Sequence, residues 1–276
     1  MILVTGATGT VGSAVVEELS DESVTVRAAT RSPTAEIEGA DETVVFDFTD
    51  PSTYRQTFVD VDSLFLVRPP ALSRVRRDIV PALSAAVGAG VEHVVFLSVI
   101  GADRNPLVPH ARIESWLESA PVSTMFLRAS FFMQNLTTTH CEEIRQGTLF
   151  VPAGSGRTSF VDARDVATVA ANALQNHTTG GHDLTGPEAL TYDAVCRQLS
   201  EALNREITYA DPSLTHFLVR VLRSDQDVSK GLVMAAIYTT ARLGLAGRVT
   251  TDLEQLLGHR PTDTETFVRE NRDVWL

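Results

Sequence analysis

One lysine, Lys230, stands among 276 residues, and the other 22 basic side chains are arginine. That scarcity alone excludes proton-transfer chemistry built on a Tyr-x-x-x-Lys dyad, in which the lysine lowers the tyrosine pKa, because Gln226 stands four residues before Lys230. Cysteine is nearly absent too. Cys141 and Cys196 have neither C-x-x-C nor metal-ligand spacing, so no metal site is expected and a reducing, cytoplasmic compartment is the expectation. No apolar run approaches the roughly 18 residues a membrane span needs, and the opening Met1-Ile2-Leu3-Val4-Thr5-Gly6 carries no basic n-region or cleavage site. A membrane protein or a secreted precursor is therefore not expected. No G-x-S-x-G elbow or H-E-x-x-H motif is present either.

Acidic residues, by contrast, are plentiful. Asp and Glu number 35 against 23 Lys and Arg, for a net charge of −12. A charge of that sign repels nucleic acid and anionic lipid at long range, and Arg74, Arg76 and Arg77 are too few to form a basic stripe. Neither direct nucleic-acid binding nor membrane binding is expected. An acidic, lysine-poor composition fits two origins, a high-salt cytoplasm or GC-rich coding bias, and the sequence leaves both open.

Hydrophobic residues make up 43% of the chain, enough to bury a full core. Short apolar runs at Ile2–Thr5, Val24–Ala28, Thr43–Asp47, Ser63–Val67, His93–Ser98 and Ser123–Arg128 read as buried strands. Helical patterns lie between them at Thr10–Leu19, Leu72–Ala89 and His110–Glu118. This alternation predicts an α/β, Rossmann-type doubly wound parallel sheet over residues 1–150. Past residue 130 the rhythm changes. Short strands at Gly147–Val151 and Gly156–Val161, helices at Ala163–Leu174 and Tyr192–Leu203, a strand and turn at 180–187 and a helical tail predict a smaller C-terminal α/β lobe over 151–276, with segments free to interleave.

The most informative stretch is Gly6-Ala7-Thr8-Gly9-Thr10-Val11-Gly12, which follows a strand and opens a helix. Gly6 permits the tight turn, Gly9 lets the backbone approach a pyrophosphate and Gly12 allows close helix–strand packing, with the helix N–H groups facing the phosphates. Thr8, Thr10 and Val11 belong to the same cofactor loop. An NAD-binding chain places a carboxylate about 20 residues further on for the ribose 2′-hydroxyl. Here Thr30-Arg31-Ser32 stands instead, and Arg31 suits a 2′-phosphate, so NADP(H) is expected over NAD(H). Ligands of open α/β sheets sit at the carboxyl ends of strands, which adds Asp47-Phe48, Val67-Arg68 and Ser98-Val99-Ile100 to the cofactor candidates. His110 and Glu114 share a helix face one turn apart, and with Ser98 they are the catalytic candidates: they can polarise a carbonyl, deliver a proton or orient the nicotinamide.

These stretches, with Gly101-Ala102-Asp103, Leu127-Arg128…Phe131-Phe132-Met133-Gln134-Asn135-Leu136, Phe160-Val161-Asp162-Ala163-Arg164-Asp165 and Leu184-Thr185-Gly186-Pro187, resemble the NmrA-like atypical short-chain dehydrogenases over nearly the whole chain. Within that family the pattern is similar to the NADPH-dependent quinone reductases and triphenylmethane-dye reductases, which carry a comparable His-x-x-x-Glu. Isoflavone-reductase-type relatives have lysine at the position of His110, and the family usually has Pro-Gly where Ala129-Ser130 stands. The resemblance implies a flavin-independent NADPH reductase acting on a small aromatic electrophile such as a quinone or dye. In that reading Phe131, Phe132 and Met133 form the substrate wall, and His110 donates a proton or holds the acceptor oxygen. It also admits a second reading, a dinucleotide-sensing regulator without turnover that binds a protein partner or forms a homodimer through the apolar Gly231–Leu245 segment. A sugar-nucleotide epimerase is disfavoured by the missing dyad.

Overall fold

The computed structural model describes residues 1–20, 23–223 and 228–276; Gln226 lies outside the described residues. The chain opens with β1 (Ile2–Val4), α1 (Thr10–Ser20), β2 (Val26–Thr30), β3 (Glu42–Val45), α2 (Tyr54–Phe58) and β4 (Ser63–Val67). It continues through α3 (Val75–Asp78), α4 (Val80–Ala89), β5 (His93–Val99), α5 (Pro109–Ser119), β6 (Ser123–Ala129), β7 (Phe131–Phe132), α6 (Cys141–Arg145) and β8 (Thr148–Phe150). Then come β9 (Arg157–Val161), α7 (Ala163–Asn176), β10 (Gly180–Leu184), β11 (Ala189–Thr191), α8 (Tyr192–Leu203) and β12 (Thr208–Ala210). The tail is helical: α9 (Leu214–Arg223), α10 (Val228–Arg242), α11 (Asp252–Leu257) and α12 (Thr264–Glu270). No helix among the described residues is long and apolar enough to cross a membrane.

Two compact units result. The first comprises Met1–Ala129 and Ala163–Leu184, and the second Ser130–Asp162 and Thr185–Leu276. The chain passes between the units three times, with 130–162 in the second and 163–184 in the first. The first unit is built on a seven-stranded sheet, β3-β2-β1-β4-β5-β6-β10, in which every neighbouring pair is parallel. Strands β1, β2 and β4 are buried almost throughout, as a sheet covered on both faces requires. On one face Phe46, Phe58, Leu64, Leu66, Ile79 and Phe96 belong to one apolar core, joined by Ile113 and Leu117 of α5. On the other, α1 and α7 pack together, with Val15, Val16, Leu19 and the small side chains of α7 buried. The strand order reverses at β1/β4, the switch point where open α/β sheets bind ligands.

Two details depart from the sequence reading. The expected helix over 72–89 is two helices meeting at Ile79, because Pro81 has no N–H for the Arg77 carbonyl and its ring crowds that carbonyl, so it is accommodated in the first turn of a new helix. The 180–187 strand, expected in the C-terminal lobe, pairs instead with β6 as the edge of the first sheet, from Gly180 opposite Met125 to Leu184 opposite Ala129.

The second unit holds a three-stranded sheet, β11-β9-β7, and the two-stranded β12-β8, with α6 and α8–α12. Its core contains Leu136, Leu149, Phe160, Tyr192, Tyr238 and Trp275.

One polar side chain ties the first sheet to its cover. Arg27, buried in β2, donates from Nη1 to the carbonyls of Thr57 (3.1 Å) and Val59 (2.7 Å) at the end of α2, and from Nε to Glu42 (2.8 Å). These bonds satisfy helix-end carbonyls that have no partner within the helix. Arg27→Met is expected to lower stability by about 2 kcal/mol, since those acceptors lose a charged donor. A urea midpoint equal to that of the parent protein would contradict this.

Candidate active site

The first candidate residues sit where β1 turns into α1. Thr5, buried at the strand end, donates from Oγ1 to the Phe65 carbonyl (2.9 Å) and accepts from the Val67 N–H (2.8 Å), so the turn is pinned to β4. Gly6 follows with φ +64°, a left-handed conformation that suits glycine. The Gly9 N–H closes the turn on the Gly6 carbonyl at 2.8 Å. A Cβ on Gly12 would stand 2.1 Å from the Gly6 oxygen, so only glycine lets the first turn of α1 sit this close. Thr8, Gly9 and Thr10 are exposed, Val11 is buried beneath them, and the first-turn N–H groups have no acceptor within the helix. This cradle fits the pyrophosphate of a dinucleotide.

Along the same carboxyl edge, Arg31 is exposed just past β2 and makes no ion pair among the described residues. The Asp47 carboxyl is held below the usual carboxylate range, chiefly by the Thr49 hydroxyl and N–H (both 2.7 Å), with the Arg31 charge contributing less. Phe48, expected to touch the cofactor, has its ring in the core against Phe46 at 4.7 Å. Only its backbone remains for a ligand, and the carbonyl already accepts from the Tyr54 hydroxyl (2.6 Å). Val67 is the wall behind Gly6, its Cβ 3.0 Å from where a Gly6 Cβ would stand. Val99 and Ile100 are half-buried, and the Ile100 N–H bonds the Ala129 carbonyl (3.0 Å).

The catalytic candidates are arranged differently from the expected His110–Glu114 pair. Glu114 is buried and taken by Arg128, whose Nη2 and Nε reach one carboxylate oxygen at 2.7 and 3.1 Å, and by the Ser98 hydroxyl at 2.5 Å. Buried carboxylates require such partners, and α5 presents Glu114 to β5 and β6, where both partners stand. Ser98 and Glu114 thus form a structural lock. Arg128 is the member that the sequence reading missed; its only signal was its position at the end of β6.

His110 has another neighbour. Its ring stacks on Phe96 (centroids 5.9 Å apart) and its Nε2 lies 3.5 Å from Arg68 Nε. Guanidinium nitrogens only donate, so Nε2 is the acceptor and the ring proton is assigned to Nδ1. Arg68 spends its Nη1 on the carbonyls of Pro69, Pro70 and Leu72 (2.9–3.0 Å), holding the loop after β4. Burial first, and the Arg68 charge second, push the His110 pKa down to about 4. His110 is therefore neutral at pH 7, an N–H donor and not an imidazolium acid. Arg104, also near this edge, faces Asp183 at 3.6 Å.

In the second unit Phe131 and Phe132 are half-buried, with Phe131 edge-on to Phe160 at 5.6 Å. Met133 is 1% exposed within the core of that unit, so its side chain is packing and not a substrate wall.

The sequence profile of the NmrA-like family matches residues 1–254. The chain belongs to the NmrA-like family. The NAD(P)H azoreductase of Xenophilus azovorans is 34% identical over 223 residues, 76% of this chain and 76% of that protein. Among solved structures, the triphenylmethane reductase of a Citrobacter species, complexed with NADP(H), gives a TM-score of 0.83 at 23% identity over 98% of this chain and 99% of that one. The NADPH-dependent quinone oxidoreductase of Escherichia coli, complexed with NADPH, gives 0.86 at 22% identity over 98% and 99%.

Two of the histidines are expected to make this protein acid-sensitive. His93, fully buried at the start of β5 and stacked on His177 at 5.0 Å, is also lowered to about 4, chiefly by burial. In the unfolded chain both titrate near 6.5, so that state binds more protons between pH 6.5 and 4. Stability is expected to be complete above about pH 6.5 and to fall as pH drops toward 4. The imidazole C–H resonances of His110 should stay at their neutral positions from pH 8 down to about 5, and a midpoint near 6.5 would contradict the assignment.

Proposed function

We propose that the chain is an NADPH-binding oxidoreductase that passes hydride, without a flavin, to a small aromatic electrophile such as a quinone or an azo or cationic dye. The observation that carries this reading is the Gly6–Gly12 cradle on the same sheet edge as Arg31, which makes no ion pair among the described residues, where an NAD-type site keeps an acid. The 34% identical NAD(P)H azoreductase supports the reaction class.

In this reading Gly6, Gly9 and Gly12 admit the pyrophosphate, the first turn of α1 donates N–H groups to it, and Arg31 binds the 2′-phosphate. When bound, the cofactor supplies the hydride. Val67 and the Ser98–Ile100 strand end border the nicotinamide half. His110 holds the acceptor oxygen through Nδ1–H, as a neutral imidazole does where a carbonyl is polarised without an imidazolium. The balance is NADPH plus quinone plus one proton giving NADP+ plus hydroquinone. The proton comes from solvent, because His110 carries none to spare at pH 7.

The test is NADPH consumption by the purified, flavin-free protein against quinones and dyes, with cofactor affinity measured in parallel. Turnover above the uncatalysed rate is expected, with NADPH bound more tightly than NADH. Arg31→Ala should erase that preference, weakening NADPH by about 10- to 100-fold, the worth of a charge-assisted hydrogen bond or two, and leaving NADH unchanged. Tight NADPH binding without turnover on any acceptor would overturn the reductase reading and favour a cofactor-sensing regulator.

A further inference from the structure

The carboxylates on the elements around His110 are already engaged. Glu114 of α5 is held by Arg128 of β6 at 2.7 Å. On α3, Asp78 is bound by Arg77, with the Arg74 charge acting on it as well. In the turn Ala102–Arg104, Arg104 faces Asp103 at 3.3 Å and Asp183 of β10 at 3.6 Å. Arg76, Arg112 and Glu118 are exposed to solvent. Arg68 has no share in these pairs. Half-buried just past β4, it makes no ion pair among the described residues.

Its hydrogen bonds are all to neutral acceptors. Nη1 is committed to the carbonyls of Pro69, Pro70 and Leu72 and Nε faces His110 Nε2, while Nη2 makes no hydrogen bond among the described residues. Withdrawing a cation from water without an anion beside it is costly, and burial lowers the Arg68 pKa accordingly. Next to His110, then, stands a fixed positive charge that no carboxylate offsets. Its field falls on the imidazole and on whatever the Nδ1–H of that ring holds.

We propose that Arg68 selects the acceptor by charge, so that the site favours electrophiles that carry or acquire negative charge, neutral and anionic quinones, over cationic dyes. The inference rests on the hydride-transfer reading and narrows its acceptor class. A quinone takes two electrons with the hydride and leaves NADP+ behind. One of its oxygens becomes the oxyanion of a hydroquinone monoanion, and the proton that completes the hydroquinone comes from solvent. A cationic triphenylmethane dye takes the hydride at its central carbon and becomes neutral, so no anion forms. A fixed cation stabilises the first product and repels the second reactant. Part of the effect passes through His110. An N–H donated to Nε2 fixes the ring proton on Nδ1 and polarises the imidazole, which strengthens Nδ1–H as a donor to the oxyanion. Arg68 is thus a positioning and specificity residue and not a proton source.

The experiment compares Arg68→Gln, which removes the charge, with Arg68→Lys, which keeps it, with circular dichroism as the check on folding. The probes are 1,4-naphthoquinone-2-sulfonate, the same quinone bearing a trimethylammonium arm, and crystal violet. The parent protein is expected to show a higher kcat/KM for the sulfonate than for either cation. Arg68→Gln should cut that ratio by about 10-fold or more, the effect of one unit charge at short range, and Arg68→Lys should keep most of it. A loop that is merely loosened lowers all three activities together and leaves the ratio in place. Two readouts need no turnover. Dissociation constants of the probes in the presence of NADP+ should follow the same order. The titration midpoint of His110 should rise from about 4 in Arg68→Gln yet stay below 6.5, because burial is the larger cause. Binding ordered by charge without turnover would fell the hydride-transfer reading and leave the selection by Arg68 standing. Equal handling of sulfonated and cationic probes by the parent, or a ratio and binding order unchanged in Arg68→Gln, would overturn the proposal.

Discussion

The approach of α1 to its own turn is the constraint on which the site depends. With a β-carbon at Gly12 forbidden by the Gly6 carbonyl, the helix begins directly above β1, and its unbonded N–H groups open at the switch point of the sheet. Thr5 then fixes the turn to β4, and Val67 closes it from behind. No charged side chain is needed for the cradle itself. In the proposed reading, phosphate affinity there comes from backbone dipoles, which a pH change or a surface mutation does not remove.

Charge enters the first unit in pairs that settle each other. Arg128 and Glu114 are both largely withdrawn from water, and either alone is costly to bury. Their pairing keeps α5 against β6 and takes the Ser98 hydroxyl with it. At His110 burial first, and the Arg68 charge second, keep the imidazole uncharged. Together these contacts turn an apparent acid–base constellation into a rigid support with a single neutral N–H donor. Hydride transfer tolerates that arrangement, since it depends on close positioning more than on a strong acid.

The glycine loop was legible in the sequence because its residues answer to local backbone geometry, and β1, β4, β5 and β6 because both of their faces are buried. Helix spacing placed His110 and Glu114 on one face but not who else meets them. Arg128 lies 14 residues beyond Glu114 and arrives through sheet pairing, which no local pattern encodes. The return of α7 and β10 to the first sheet was hidden for a related reason. Gly180, Gly181, His182 and Asp183 make an edge strand with no apolar alternation to betray it. The strand-end rule nominated Phe48 and the family resemblance Met133, but neither gives side-chain direction, and the ring and the thioether both went to cores.

The central claim is that hydride passes directly from the nicotinamide to the acceptor on this protein. Single-turnover reduction of a quinone by NADPH deuterated at the transferring C4 position, with flavin-free protein, tests it most directly. The account predicts a slower burst with the deuterated cofactor, at the same rate at pH 6 and pH 8 because no site histidine titrates in between. A burst absent without added flavin, or one with no isotope effect and a rate that follows a group titrating near 6.5, would contradict it.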